Sequence, residues 1–245
     1  MFAKRQGSFG SHWAPVALVA TVFLAVVSYA AGAAEPPVRI GIIGTGKIGS
    51  ALAQLWVSSG HEVMISSRHP EELAGLAAKL GPKAHAGTPA QAAAFGPVVM
   101  LAVPYGATPQ VGRDYAKELA GKIVLDAGNP YPDRDGPMAD AARVKGAGPS
   151  DREFLPGVRL VRAFNAIIAG NLLSQTNRAA GLIAIPLAGD DPAALKQAAT
   201  LVRDAGFDPV IVGDLSQAHR FDVGSPVYVK LMTAKELRAA LGMAQ

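Results

Sequence analysis

The chain of 245 residues contains no cysteine. Disulfide bonds, thiol nucleophiles, iron–sulfur clusters and zinc–thiolate sites are therefore excluded, so any redox chemistry must come from an organic cofactor. The sequence also shows no tight cluster of other metal-ligating residues. Charge of one sign is scarce as well, because the formal net charge is only +4 and part of it lies in an acid-free leader. This excess is too small for nucleic-acid binding.

Half of the residues are apolar, and from Val38 onward short apolar segments alternate with segments of helical periodicity. The alternation predicts an α/β fold with a doubly wound parallel sheet, in one domain over residues 35–245 with a short C-terminal extension. Buried strands are expected at residues 38–43, 60–65, 98–103, 122–126, 158–162, 182–187 and 209–212. The segment from Gly128 to Pro156 is rich in Gly, Pro and Asp, which favours a long loop.

Residues 1–34 have the pattern of an export leader. Lys4, Arg5 and His12 precede an uncharged run from Trp13 to Ala34 that closes with small residues. This order predicts a signal peptide, or a membrane anchor if the run is not cleaved. In both cases the positive-inside rule places the domain in the periplasm or outside the cell. The alternative is a misassigned start codon and a cytoplasmic protein.

The first predicted strand is followed by Gly44-Thr45-Gly46-Lys47-Ile48-Gly49. A GxGxxG sequence alone is weak evidence, but here it follows a buried strand and opens a helix with Leu52 and Trp56 on its apolar face. That context is the one required by the dinucleotide-binding Rossmann fold. Gly44 permits the tight turn, Gly46 leaves room for a pyrophosphate, and Gly49 allows the helix to pack close to the strand.

The end of the second predicted strand reads Ser66-Ser67-Arg68-His69-Pro70. An NAD-binding protein usually has Asp or Glu there, which accepts hydrogen bonds from the ribose 2′-hydroxyl. Ser67 can instead donate a hydrogen bond to a 2′-phosphate, and the Arg68 guanidinium can pair with it. The sequence therefore favours NADP over NAD.

These motifs, together with Ala102-Val103-Pro104, Gly189-Asp190-Asp191 and Asp214-Leu215-Ser216, occur in the order seen in the NADPH-dependent deazaflavin (coenzyme F-420) reductases. The chain resembles this family over nearly all of residues 38–228, and the reductase domain of the STEAP metalloreductases is similar at a greater distance. The resemblance implies that Thr45, Gly46, Lys47 and Ile48 hold the pyrophosphate, that Ser67 and Arg68 hold the 2′-phosphate, and that Val103 and Pro104 line the cofactor.

The resemblance also implies direct hydride transfer between NADP(H) and a flavin or deazaflavin acceptor, for which no catalytic residue is required. Loops at the carboxyl ends of the strands are expected to line the site, with Tyr105, the Asn129-Pro130 pair and residues 164–168. Asn129 and Asn165 either bind the carboxamide or the substrate edge, or simply form turns.

Other titratable residues are assigned structural roles. Asp126 is expected to be a strand-end loop residue rather than an acid catalyst. His61 and His85 are expected to be structural, since neither has a partner at useful spacing. His219 and Arg220 are expected on a solvated face, although an anionic acceptor tail could be held there.

Two other function classes stay open. One is an NADP-dependent imine or hydroxyacid reductase, which needs a long helical C-terminal domain or a partner chain, as in a homodimer, to complete its site. The other is a non-catalytic NADP(H)-binding module. In each reading the partner is a small molecule rather than a nucleic acid, and membrane contact is made only through an uncleaved leader.

Overall fold

The computed structural model of the chain describes residues 1–3, residue 7 and residues 36–244. Most of the predicted leader lies outside these described residues, so the signal-peptide and location predictions stay sequence-based. Within the described ranges, no helix combines the length and the apolar character that crossing a membrane requires.

A sheet of eight strands forms the centre of the fold. The strands are β1 (Arg39–Ile43), β2 (Glu62–Ser66), β3 (Ala84–Gly87), β4 (Val98–Leu101), β5 (Ile123–Asp126), β6 (Arg159–Arg162), β7 (Ala184–Gly189) and β8 (Asp208–Gly213). Their spatial order is β3-β2-β1-β4-β5-β6-β7-β8. The first six positions follow the strand order of dinucleotide-binding folds, with the switch point between β1 and β4. The α/β prediction is therefore confirmed.

The parallel prediction needs one correction, at β6 and β7. These two strands pair antiparallel, with Val161 opposite Gly189 and Arg162 opposite Ala188. Every other neighbouring pair in the sheet is parallel. Because only the last residues of β7 pair with β6, the first residues of β7 lie beyond the carboxyl end of β6. Strand β8 is parallel to β7, so it too is antiparallel to β6.

Helices cover both faces of the sheet. They are α1 (Lys47–Ser58), α2 (Ala74–Leu80), α3 (Pro89–Phe95), α4 (Thr108–Asp114), α5 (Ala116–Leu119), α6 (Pro132–Asp135), α7 (Pro137–Lys145), α8 (Ala147–Phe154), α9 (Ala169–Gln175), α10 (Pro192–Asp204) and α11 (Ala234–Ala240). Short 3-10 helices span Pro70–Leu73, Tyr105–Ala107 and Leu215–Arg220. The predicted apolar face of α1 is confirmed, since Leu52 and Trp56 are fully buried.

The core lies on both faces of the sheet because successive strand residues alternate in direction. In β4, Val98 and Met100 belong to one apolar cluster, whereas Val99 and Leu101 belong to another. Burial on both sides explains why the strands read as continuous apolar runs in the sequence.

Two local predictions were wrong. The predicted loop from Gly128 to Pro156 contains α6, α7 and α8. Pro132 and Pro137 suggested loop structure, but each begins a helix, where the missing N–H needs no partner. The sequence reading also missed β3, whose four residues include no β-branched side chain.

His61 and His85, which were expected to be structural, both have partners that their spacing in the sequence did not indicate. His61 Nε2 lies 3.0 Å from Asp204 Oδ2, and its Nδ1 accepts a hydrogen bond from the backbone N–H of Val38. His85 Nε2 lies 2.8 Å from Glu62 Oε1. These partners are far away in sequence, so residue spacing gave no sign of them.

Candidate functional site

The glycine loop between β1 and α1 has two tightly packed positions and one open position. Gly44 has φ +97°, and a Cβ there would lie 2.6 Å from the Ala102 carbonyl oxygen. A Cβ on Gly49 would lie 2.1 Å from the Gly44 carbonyl oxygen. A Cβ on Gly46 would have no neighbour within 4 Å. The first and third glycines are therefore required by packing, whereas the second leaves space that a ligand can fill.

The N-terminus of α1 has amide groups available for an anion. Its N-cap residue, Gly46, makes no side-chain capping bond, and its first turn contains no acidic residue. The loop is tied to the end of β2, because Thr45 Oγ1 donates a hydrogen bond of 2.9 Å to the Ser66 carbonyl oxygen. Free N–H groups and the positive end of the helix dipole fit a pyrophosphate.

The first cavity, which we call the β2-side cavity, has a volume of about 620 Å³. Its walls include Gly44, Thr45, Ser67, Arg68, Val103 and Pro104, which the sequence analysis had selected. Arg68 is exposed and has no ion pair or side-chain hydrogen bond within the described part of the chain. Ser67 Oγ accepts a hydrogen bond from the backbone N–H of His69 at 3.1 Å. The Arg68 guanidinium is thus available to a ligand.

Two carboxylates, Glu72 and Asp114, also line the β2-side cavity. Asp114 accepts a hydrogen bond from Gln110, while Glu72 is exposed. Neither lies at the end of β2 itself: Glu72, four residues after Arg68, was expected from the sequence to weaken phosphate binding, whereas the position of Asp114 was not foreseen. The carboxylates of Glu72 and Asp114 would therefore repel an anion bound beside Arg68.

The second cavity, which we call the β5-side cavity, has a volume of about 460 Å³. It is lined by the selected residues Lys47, Ile48, Val103, Pro104 and Asn129, and also by Ala102, Ala127, Gly128, Tyr131, Arg134, Phe164, Asn165, Ile167, Ile168, Ala169, Tyr228 and Val229. Gly46 follows Thr45 of the first cavity and precedes Lys47 of the second. A dinucleotide across the glycine loop would reach both cavities.

Tyr105 does not line either cavity, contrary to the sequence prediction. Its side chain is completely buried and packs edge-on against Phe154, with a distance of 6.2 Å between ring centroids. Burial raises the pKa of the Tyr105 hydroxyl well above its ordinary value. This side chain therefore supports the wall behind the site.

The ionisable residues that line the β5-side cavity are Lys47, Arg134, Tyr131 and Tyr228, with no carboxylate or histidine among the described lining residues. The hydroxyls of Tyr131 and Tyr228 are hydrogen-bonded to each other. Burial, and then this bond, raise the pKa of the Tyr228 hydroxyl above its ordinary value. Arg134 lies over the Tyr131 ring, 5.0 Å from its centroid. The polar part of this cavity is thus cationic and phenolic.

Behind this cavity lies a buried cluster of three carboxylates around Arg162, a side chain with 0% exposure. Its Nη1 donates to Asp126, to the Gly128 carbonyl oxygen at 2.6 Å and to Asp151 at 3.3 Å. Its Nη2 donates to Asp222 Oδ1 at 2.9 Å. Asp126 is therefore a buried ion-pair partner at the end of β5, not the loop residue that was expected.

Three carboxylates and one guanidinium cannot all be ionised without a buried excess of negative charge. Burial is the largest cause that raises the pKa of Asp151 well above its ordinary value, and the negative charge of Asp126 is the second. Asp151 therefore holds its proton more tightly than an ordinary aspartate does. The sequence analysis missed this cluster because its members come from separate segments.

The backbone beside the β5-side cavity is strained at two residues. Phe164 has φ +62° and Val229 has φ +53°, both in the left-handed region. A β-branched residue rarely adopts this conformation, and such strain is concentrated at functional sites. The Val229 N–H donates to the Ala166 carbonyl oxygen at 3.1 Å, which holds the two segments together.

A third cavity, of about 560 Å³, contains Arg143, His219 and Arg220. His219 is exposed as expected, whereas Arg220 is partly buried and donates to the Leu241 carbonyl oxygen. The expected solvated face is thus confirmed for His219 and wrong for Arg220.

The strand order and the ligand-sized cavities beside the glycine loop define an NAD(P)-dependent oxidoreductase with a Rossmann fold. Residues 39–130 match the family described as NADP oxidoreductase, coenzyme F420-dependent. This part of the chain is therefore similar to that family, in line with the sequence resemblance.

Three individual proteins are similar to this chain over most of its length. The chain is 28% identical to the hypothetical protein SMa0349 from Sinorhizobium meliloti, with a TM-score of 0.68 over 81% of this chain and 96% of that one. It is 27% identical to a proposed F420-dependent NADP reductase from Arthrobacter sp. FB24, with a TM-score of 0.63 over 74% and 87% of the two chains. It is also 29% identical to the metalloreductase STEAP3 of Rattus norvegicus over 75% of this chain, which spans only 36% of that relative.

Proposed function

We propose that the protein is an NADPH-dependent reductase that transfers a hydride to a flavin-like or deazaflavin acceptor. The observation that carries this proposal is Arg68 beside Ser67 in the β2-side cavity, where Arg68 has no ion pair with any described residue. A guanidinium and a hydroxyl together fit the 2′-phosphate of NADP.

The β5-side cavity is suited to the nicotinamide end. When bound, NADPH supplies a hydride from C4 of its nicotinamide ring. The residues around that ring would be mostly apolar, among them Ile48, Val103 and Phe164, and they would exclude water. Lys47 and the free amides of α1 would bind the pyrophosphate and fix the distance between the two ends.

The mostly apolar lining of the β5-side cavity supports a flat, flavin-like acceptor stacked on the nicotinamide ring. A flavin-like ring requires mainly proximity and orientation from the protein.

The acceptor class is tested by following NADPH oxidation at 340 nm. The panel contains FMN, riboflavin, the deazaflavin coenzyme F420, a ferric chelate, a cyclic imine and a hydroxyacid with its oxidised form. We expect turnover with a flavin or the deazaflavin. Turnover restricted to the imine or the hydroxyacid pair would overturn the proposal. Reduction of the ferric chelate alone would favour the chemistry named for STEAP3, and tight NADPH binding without any turnover would favour a binding module.

The cofactor assignment is tested by Arg68→Ala. Loss of a charge-assisted contact of about 1.5–3 kcal/mol should weaken NADPH binding roughly ten- to a hundredfold. NADH binding should barely change, since NADH has no 2′-phosphate. Titration of cofactor fluorescence measures both, and Arg203→Ala at the end of α10 is the matched control. An equal loss for the two dinucleotides would contradict the assignment.

A further inference from the structure

Asn165 lies where the buried Arg162 cluster meets the β5-side cavity. The residue is only 2% exposed and contributes to the cavity wall. Its Nδ2 donates to Asp222 Oδ1 at 3.0 Å. Its Oδ1 is buried and has no hydrogen-bond partner among the residues that the structure describes. A buried acceptor without a partner is unfavourable and points to a ligand that supplies the donor.

The orientation of this side-chain amide is fixed by its neighbour. A carboxylate can only accept hydrogen bonds, so the NH₂ group of Asn165 must face Asp222. Asp222 Oδ1 is in turn held by Arg162 Nη2 at 2.9 Å, and Arg162 is completely buried. Asn129 Nδ2 donates to the Asn165 carbonyl oxygen at 2.8 Å, which also restrains the backbone. The amide oxygen is the group left for a ligand.

We propose that Asp222 and Arg162 are positioning residues that hold Asn165 Oδ1 as the acceptor for the carboxamide N–H of the nicotinamide ring. This inference rests on the proposed function, because it needs NADP(H) in the β5-side cavity. The carboxamide fits because its NH₂ group is a neutral donor and the described lining offers no carboxylate to compete for it. The contact would fix the rotation of the ring relative to the acceptor.

The test compares NADP⁺ with its 3-acetylpyridine analogue, in which a methyl group replaces the carboxamide NH₂. A neutral hydrogen bond typically corresponds to about a three- to tenfold difference in affinity. We therefore expect the wild-type protein to bind NADP⁺ about three- to tenfold more tightly than the analogue in calorimetric titrations.

Asp222→Asn should reduce this preference to less than about twofold, because an amide at position 222 can donate as well as accept and lets Asn165 turn over. Asn165→Leu, which removes the acceptor and keeps the volume, should have the same effect and covers the case in which Asp222→Asn does not fold. Asp140→Asn, an exposed position on α7, should keep the wild-type preference.

The outcomes separate the two claims. If the wild-type protein fails to bind NADP⁺, the proposed function is overturned, and this inference with it. If the wild-type protein binds NADP⁺ and the analogue equally, only the Asn165 contact is overturned. If folded variants weaken both ligands by the same factor, Asp222 and Asn165 have a merely structural role, and the positioning proposal is wrong.

Discussion

Asp151 is completely buried beside Asp126 and Arg162. Its folded-state pKa is raised above the unfolded value of about 3.9. Between these two pKa values the folded state binds more protons than the unfolded state. The free energy of unfolding therefore falls as pH rises, by about 1.4 kcal/mol per pH unit, until the folded-state pKa is reached.

Asp151→Asn should remove this dependence, because an amide resembles the protonated carboxyl group. We expect the variant to gain stability relative to the wild type as pH rises from 5 to 8, measured by urea unfolding at both values. Asp133→Asn, an exposed change, should follow the wild type at each pH. If Asp151→Asn destabilises the protein equally at both pH values, Asp151 is ionised and its charge is needed.

Glu72 opposes the proposed role of Arg68 in the same cavity. Removing its charge should raise NADPH affinity about two- to fivefold, since exposed charge pairs contribute about 0.3–1 kcal/mol. The gain in Glu72→Gln should shrink at high salt and be absent for NADH. Glu71→Gln is the matched control, because Glu71 is also exposed but does not line the cavity. An unchanged NADPH affinity would place the 2′-phosphate elsewhere.

Two glycines of the β1–loop–α1 unit have different roles: Gly46 is expected to matter for dinucleotide binding and Gly49 for stability. Gly46 has ordinary φ of −77° and open space around it, so Gly46→Val should fold normally and lose dinucleotide binding. Gly49→Val should instead lower the free energy of unfolding by at least about 1–3 kcal/mol, because its Cβ would collide with the loop backbone. Thermal unfolding and NADPH titration of both variants distinguish these effects. Normal binding by Gly46→Val would contradict the fingerprint interpretation.

The same unit shows which features the sequence could predict. Its strand, glycine loop and amphipathic helix are encoded within a few neighbouring residues, and the structure has all three. The antiparallel pairing of β6 and β7 was missed because strand direction depends on how a connection is routed, which no local pattern records. The cluster around Arg162 also leaves no local pattern, because Asp126 and Asp222 are separated from Arg162 by 36 and 60 residues along the chain.

At the scale of the whole chain, an export pattern in residues 1–34 precedes a domain for which we propose NADPH, a cytoplasmic reductant. We expect the domain beyond the cytoplasmic membrane, with a mature chain that begins between Ala33 and Glu35 if the leader is cleaved. Cell fractionation and N-terminal sequencing measure both. A cytoplasmic product that begins near Val38 would contradict the export prediction and leave the reductase proposal intact.

Among the described residues, the two cavities beside the glycine loop share only Val103 and Pro104. The β2-side cavity is built mainly by the glycine loop, the end of β2 and α4, whereas the β5-side cavity draws on residues 127–134, 164–169 and 228–229. Under the proposed function, mutations in these later segments would change the nicotinamide end and the choice of oxidant, while the contact of Arg68 with the 2′-phosphate would stay the same. The preference for NADP and the choice of oxidant could then evolve separately, and protein design could change one without the other.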